Sequence, residues 1–567
     1  MINRRTFVKG LAVGGAAAGL GVWPSRGFAR GAGNFEGLPP QAGGGGQVTL
    51  TGTDFDLRIG ESPVNFTGAS RIGITVNGTI PAPIVRWREG DTVTMRVANT
   101  LHEDTSIHWH GMILPANMDG VPGLSFHGIH PGETYTYKFT VRQNGTYWYH
   151  SHSGFQEQAG LYGPLVIDAR EPEPFRYDRE HVVLLTDWTD EDPKRVFGKL
   201  KKQSDYYNRN RRDFGDLRRD IREQGFSKTM ADRRAWGKMR MSPTDLADVS
   251  GHTYTHLMNG VTPSGNWTGL FKSGERVRLR FINGSAMTYF DVRIPGLKMT
   301  VVAADGQYVH PVTVDEFRIA CAETFDVIVE PSGQDAYTIF AQAMDRTAYA
   351  AGTLAVRAGL QAPVPSLDER VLLTMSDMGH GPTGHEGHNM AGPVGEPHPA
   401  TENNPLVDMQ AMTPTPRLSD PGIGLRDNGR KVLTYADLKS TFPDPDGRDP
   451  GRTVELHLTG HMERFAWSFN GVKFADAEPL RFTYGERLRV VLVNDTMMTH
   501  PIHLHGMWSD LEDEAGNFMV RKHTIDMPPG TKRAYRVRAD ALGHWAYHCH
   551  LLYHMEAGMF REVRVEE

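Results

Sequence analysis

Ten of the chain's 25 histidines fall in four short motifs. They are His108-Trp109-His110, His150-Ser151-His152, His500-Pro501-Ile502-His503-Leu504-His505, and His548-Cys549-His550 followed by His554 and Met559. On an extended strand, residues i and i+2 point to one side, so each His-x-His pair offers two imidazoles together. Neutral imidazole suits copper. One such pair is ordinary on a surface strand, but four of them point to a metal cluster. The last motif is the most specific. A blue-copper site needs two imidazoles, a thiolate and a weak axial thioether. Cys549, His554 and Met559 lie close enough in sequence to come from one strand end and its loop, with His500 the candidate for the other imidazole. His548 and His550 flank the cysteine and point away from it, so they can bind other ions and leave a covalent electron path two or three residues long.

The elements that must position these residues show as an internal repeat. Gly90 to Asn99, Gly274 to Asn283 and Gly485 to Asn494 are each a turn glycine followed by an alternating apolar strand that ends in asparagine. A second block follows. Pro131-Gly132-Glu133 leads, 18 residues after Gly132, to His150, and Pro529-Gly530-Thr531 leads by the same step to His548. In the middle copy the step from Ala322 lands on Phe340-Ala341-Gln342. The middle unit has kept the strands and lost the histidines. We therefore expect an all-β chain of three β-sandwich domains, at residues 45–170, 171–360 and 430–567. A charged insert at 193–245, rich in arginine, reads as surface helices. Residues 361–429 read as a linker, irregular from 375 onward, in which Met375, Met378, His380, His385, His388, Met390, His398, Met409 and Met412 give a soft, Cu(I)-binding composition.

Composition narrows the partners. A net charge of −6 gives no reason to expect nucleic acid or an anionic membrane. Asn3-Arg4-Arg5 through Lys9 followed by a short apolar run reads as a twin-arginine signal over residues 1–30, with Ala29 a suitable cleavage position. Export of the folded protein to the bacterial periplasm by the twin-arginine machinery follows. No later run reaches the roughly 18 apolar residues of a membrane span, so stable membrane insertion is not expected. The two cysteines, Cys321 and Cys549, invite a disulfide in such a compartment. The surroundings of Cys549 demand a free thiolate, which leaves Cys321 as a buried, unpaired thiol on a strand.

The strings Thr105 to Gly111, Asn144 to Glu157 and Trp545 to Met559 resemble the copper signatures of laccase-like multicopper oxidases, in particular the bacterial copper-resistance branch, CopA. The resemblance spans nearly all of the mature chain. It implies three cupredoxin-like domains, with a trinuclear cluster between the first and third, and four copper ions. Type 1 copper would take His500, Cys549 and His554, with Met559 axial. Type 2 would take His108 and His503, and the type 3 pair His110, His150, His152, His505, His548 and His550. The resemblance further implies one-electron oxidation of Cu(I) or a small phenol, coupled through Cys549 to reduction of O2 to water. Asp119 matches a family position that supplies protons. Some relatives carry an acidic residue directly after the last type 1 histidine; Met555 stands there, with Glu556 beyond it. A rival reading is a periplasmic copper-sequestering protein whose oxidase activity is incidental. A copper nitrite reductase would not need the eight-histidine set.

Overall fold

The computed structural model describes residues 47–379, 401 and 404–567. The signal segment and His380, His385, His388, Met390 and His398 of the linker lie outside the described residues. Six sheets form three facing pairs. The first pair carries strands from Thr49 to Asp168, the second from Arg179 to Ala355 and the third from Arg452 to Glu566.

The repeat is visible in topology as well as in sequence. In the second and third pairs, six-stranded and five-stranded sheets have their strands in the same order, element for element. The strand Ala336–Ala343 of the second pair thus stands where Gly543–Cys549 stands in the third. The repeated strands Thr92–Asn99, Val277–Asn283 and Arg487–Asn494 lie centrally in their sheets. In the first of them Val93, Met95 and Val97 are wholly buried between less buried neighbours, as period-two alternation requires. The closing asparagine has a common task. Its side-chain amide donates to two backbone carbonyls: Glu103 and Ile129 from Asn99, Thr288 and Ile319 from Asn283, Met498 and Met527 from Asn494. In the second and third domains the clamp ties the start of the next loop to the end of a returning strand, at Ile319 and Met527, and in the third domain that loop leads to His500.

The insert is helical. Pro193–Leu200 is capped by Asp192, and Phe214–Gln224 by a reciprocal Asp213–Asp216 box. Gly225, at φ +87°, turns the chain into Phe226–Met239. Several of its arginines are paired within the insert, Arg212 with Asp232 at 2.7 Å and Arg233 with Asp220 at 3.0 Å.

One expectation needs correction. Cys321 is free and fully buried, but it lies in the tight turn between the strands Glu316–Ile319 and Thr324–Val329, where Ala322 takes φ +70°. The apolar neighbours that suggested a strand are the ends of two. The described part of the linker is irregular and is anchored to the domains it crosses. Met378, Ala411, Leu418 and Leu425 are buried, and the Ala411 amide donates to Asp495 at 2.8 Å. Met375 and Met409 pack against the core, and Met412 is the exposed exception. A chain with apolar residues at this frequency binds to the domain faces it crosses, as burial of each side chain is worth about 1.5–3 kcal/mol.

Candidate metal centre

The histidine motifs sit on paired strands. His108–His110 runs antiparallel to Gly145–His150, with His108 opposite His150. His500–Leu504 runs antiparallel to Gly543–Cys549, with His503 opposite His548 and Ile502 opposite Cys549. The two strand pairs face each other across the boundary between first and third domains, and His108, His110, His150, His152, His503, His505, His548 and His550 meet there. Rings stack across that boundary, His110 on His503 at 3.8 Å and His108 on His505 at 3.9 Å.

Hydrogen bonds fix which nitrogen each ring turns inward. Nδ1 donates to the Asp119 carbonyl from His108, to the Ser151 carbonyl from His150, with Glu157 Oε2 also 2.7 Å away, and to the His523 carbonyl from His503. Nδ1 of His505 donates to Asp119 Oδ2 at 2.8 Å, and Nδ1 of His548 to the Cys549 carbonyl at 2.9 Å. All five Nε2 atoms are left facing the shared space, the arrangement that metal-binding histidines use. There Nε2 atoms crowd together: His505 to His548 at 3.0 Å, His152 to His548 at 3.3 Å and His150 to His550 at 3.3 Å. Nε2 of His108 and His503 and both nitrogens of His110 are buried without a protein partner. Burial, reinforced by neighbouring imidazoles, holds His110, His150, His152, His503, His505 and His550 far below the usual histidine range, and burial lowers His548 to about 3. They are neutral at any physiological pH, which is the ligating form. Converging lone pairs repel unless a cation lies between them, so the residues fit copper.

The second group lies one residue away along the chain. Nδ1 of His500 is 3.5 Å from Cys549 Sγ, Nδ1 of His554 is 3.8 Å from it, and the two Nδ1 atoms are 3.1 Å apart. All three residues are fully buried. His554 lies on the short helix Leu552–Glu556, where a plain loop was expected. Met559 is also fully buried, and its carbonyl accepts from the Cys549 amide at 3.1 Å, so main-chain pairing brings it beside the cysteine. Burial pushes the Cys549 thiol well above its ordinary value, so a thiolate persists in this pocket only against a bound cation. Two neutral imidazoles, a buried sulfur and a nearby thioether form a donor set suited to type 1 copper.

Asp119 is buried and reaches both domains, through its carbonyl to His108 and its carboxylate to His505. Gly120 behind it has φ +81°, and a Cβ there would fall 1.8 Å from the Ile107 carbonyl oxygen, so no other residue lets Asp119 approach. Glu556 ends the helix that carries His554, and burial raises its carboxyl to about 7.

Three buried residues went unread in the sequence. Asp248 Oδ2 accepts from His554 Nε2 at 2.6 Å, Trp467 stacks on His554 at 4.1 Å, and Glu157 holds His150. Glu157 lies at the end of one of the quoted strings and could have been weighed. Asp248 is 306 residues from its partner, and no local signal marks it.

Models described as multicopper oxidase match residues 58–172, 222–359 and 447–567. The chain is 65% identical to copper resistance protein A of Escherichia coli, over all of this chain and 99% of that protein. The chain belongs to the multicopper oxidase family. Within it, the sequence falls in the copper resistance protein A branch. A homologue from Pseudomonas syringae pv. tomato is 66% identical at the same coverage, and multicopper oxidase MmcO of Mycobacterium tuberculosis is 30% identical over 98% of this chain and 95% of its own. Among solved structures the iron-import oxidase Fet3p shares the fold, with a TM-score of 0.66 at 19% identity, covering 91% of this chain and 90% of that one. This multicopper oxidase is thus an oxidase enzyme that uses copper ions, with O2 and a reducing substrate as its partners. A model of the twin-arginine signal matches residues 1–21, so the oxidase is exported through that machinery to the periplasm. Among the described residues no helix is long and apolar enough to cross a membrane.

Proposed function

We propose that this multicopper oxidase takes single electrons from Cu(I), or from small phenols, at the His500–Cys549–His554 group and delivers them to the eight-histidine group, in the service of copper resistance. Type 1 copper would be held by His500, Cys549, His554 and Met559. Type 2 is assigned to His108 and His503, and the type 3 pair to His110, His150, His152, His505, His548 and His550. The domain limits 45–170, 171–360 and 430–567 belong to the same proposal. When bound, copper supplies the redox chemistry, one-electron uptake at one site and four-electron reduction of O2 at the other.

The chain's own residues then have distinct tasks. Cys549 joins the two groups, because its immediate neighbours His548 and His550 are cluster imidazoles. Asp119 orients His505 and His108 and holds a carboxylate at the cluster, where water formation consumes protons. Asp248 and Trp467 hold the ring of His554 from outside. The single observation that carries the reading is the buried sulfur of Cys549 flanked in sequence by two imidazoles whose partners come from the other domain.

Replacing Cys549 by Ser tests it. The variant should lose blue colour and turnover while it keeps its fold and its non-blue copper; strong oxidase activity in that variant would refute the assignment. Oxygen uptake by copper-loaded protein given Cu(I) and, separately, a phenol then ranks the reductants. No uptake with either would favour copper sequestration instead.

A further inference from the structure

Away from the two copper groups, the first domain gathers a further set of metal-binding side chains on its surface. One ligand atom from each of His127, His130 and Glu133 falls within 4.8 Å of the others. The two histidine side chains are a little over half exposed, and Glu133 is partly covered. The imidazole rings lie stacked, with centroids 5.4 Å apart and planes 18° apart.

Main-chain bonds hold the three residues in place. Ile129, between the histidines, is fully buried, and its amide donates to Thr105 and its carbonyl accepts from Thr105 at 2.9 and 3.1 Å. The His130 amide donates to Glu133 Oε2 at 2.9 Å, and the Glu133 amide donates back to the His130 carbonyl at 2.9 Å, a reciprocal pair that closes the Pro131-Gly132 turn. Ahead of His127, the Ser125 hydroxyl donates to the His544 carbonyl of the third domain at 3.0 Å.

These bonds leave ligand atoms over. With Oε2 of Glu133 engaged, its Oε1 lies 3.9 Å from His127 Nε2. That gap is too long for a hydrogen bond, but two donors each about 2.1 Å from one ion stand up to about 4.2 Å apart. Behind His130, Asp104 Oδ1 accepts from Nδ1 at 2.9 Å, which leaves Nε2 as that ring's free nitrogen. A carboxylate behind one ring nitrogen is how metal-ligating histidines are oriented. Two imidazoles and a carboxylate suit divalent first-row ions, and such a set binds Cu(II) most tightly of them.

We propose that His127, His130 and Glu133 bind one Cu(II) ion at the surface of the first domain, with Asp104 orienting His130 and water completing the coordination. The site is separate from the four ions assigned above and does not depend on those assignments. An ion held there pins the loop between Asp119 and the strand Thr134–Thr140, so added Cu(II) raises the thermal midpoint.

The test titrates Cu(II) into the copper-loaded full chain and into its H127A, H130A and E133Q variants, read by EPR of the non-blue copper and by competition with a chelator. Blue absorbance and oxygen uptake, unchanged in the variants, check that the electron-transfer groups are intact. Expected is one equivalent taken up by the parent that each variant binds about ten-fold or more weakly, since even a carboxylate behind a ligand is worth about that much. Added Cu(II) should also raise the parent's thermal midpoint more than that of any variant. Equal uptake and equal affinity in parent and variants would overturn the proposal, wherever else the chain binds Cu(II). Tighter binding of Zn(II) than of Cu(II) at these residues would overturn it too. Should a histidine variant lose blue colour, E133Q decides on the same readouts, since its side-chain oxygen still accepts from the His130 amide.

Discussion

Asp248 offers the sharpest test of how the polypeptide tunes its electron-entry site. Its Oδ2 accepts from His554 Nε2 at 2.6 Å, both residues are fully excluded from solvent, and the opposite nitrogen of that ring faces Cys549. Asp248→Asn keeps the shape and an oxygen acceptor but removes the charge. A hydrogen bond to a charged group is worth about 1.5–3 kcal/mol and a neutral one about 0.5–1.5, so the change costs about 1–1.5 kcal/mol. The carboxylate favours the oxidised ion, which carries the greater charge, so its loss should raise the type 1 potential. At about 59 mV per 1.4 kcal/mol for one electron, the rise is up to about 65 mV. Spectroelectrochemical titration of the blue band in parent and variant measures it, with retained colour showing that copper is still bound. A potential unchanged within about 10 mV, or lowered, would refute the reasoning, since 10 mV corresponds to only about 0.2 kcal/mol.

Asp119→Asn should slow reoxidation by O2, about 10²–10⁴-fold if the carboxylate moves protons, while anaerobic reduction of the blue copper stays at the parent rate in stopped flow. Gly120→Ala should destabilise the chain by more than about 2 kcal/mol, read as a lower thermal midpoint, because both its φ and the Ile107 carbonyl exclude a side chain. Burial alone would raise the Glu180 carboxyl, but Arg280 and Arg86 outweigh it and hold it at about 2, below its ordinary 4.5. Glu180 therefore adds stability that is fully present above about pH 4.5 and lost as pH falls toward 2. Glu180→Gln should cost about 3 kcal/mol at neutral pH in denaturant unfolding, with the difference from the parent shrinking through that window.

The sequence was most legible where function and repetition coincide. A turn glycine, an alternating strand and a closing asparagine recur three times, and in each copy the asparagine clamps two carbonyls, a constraint strong enough to mark the sequence. The histidine motifs were legible because each begins on a strand, and the His-x-His spacing recurs even where the strand ends at His150, Leu504 or Cys549, before the second histidine. Cys321 was misplaced because a tight turn between two buried strands has the composition of a strand. The anchoring of the linker was not legible because methionine is both a soft ligand and a filler of irregular gaps, and composition does not separate the two. His523 was passed over because a lone histidine after a lysine has no periodic partner, and its contacts with Asp305 and His110 span 218 and over 400 residues.

The middle domain looks, from its missing histidines, like scaffold alone, but the contacts argue otherwise. Asp248, from the segment that follows the helical insert, orients His554, and Asp305, from a turn of the second domain, fixes the backbone at His523. The carbonyl of Ala286 accepts from the Leu552 amide at the start of the helix that carries His554, and the Tyr289 hydroxyl donates to Asp526 beside the strand that begins at His500. Asp187 in turn holds the amides of Ala286 and Met287, so the loop that grips this helix is itself fixed by a buried carboxylate. A ligand imidazole turns one nitrogen to the metal and needs an acceptor behind the other. Most acceptors behind the cluster imidazoles come from the first and third domains themselves, but the acceptor behind His554 is Asp248, from a loop of the copy that carries no ligands. The copy that lost its histidines therefore still sets the orientation of the site, and changes in its loop carboxylates should alter copper potentials without touching a single ligand.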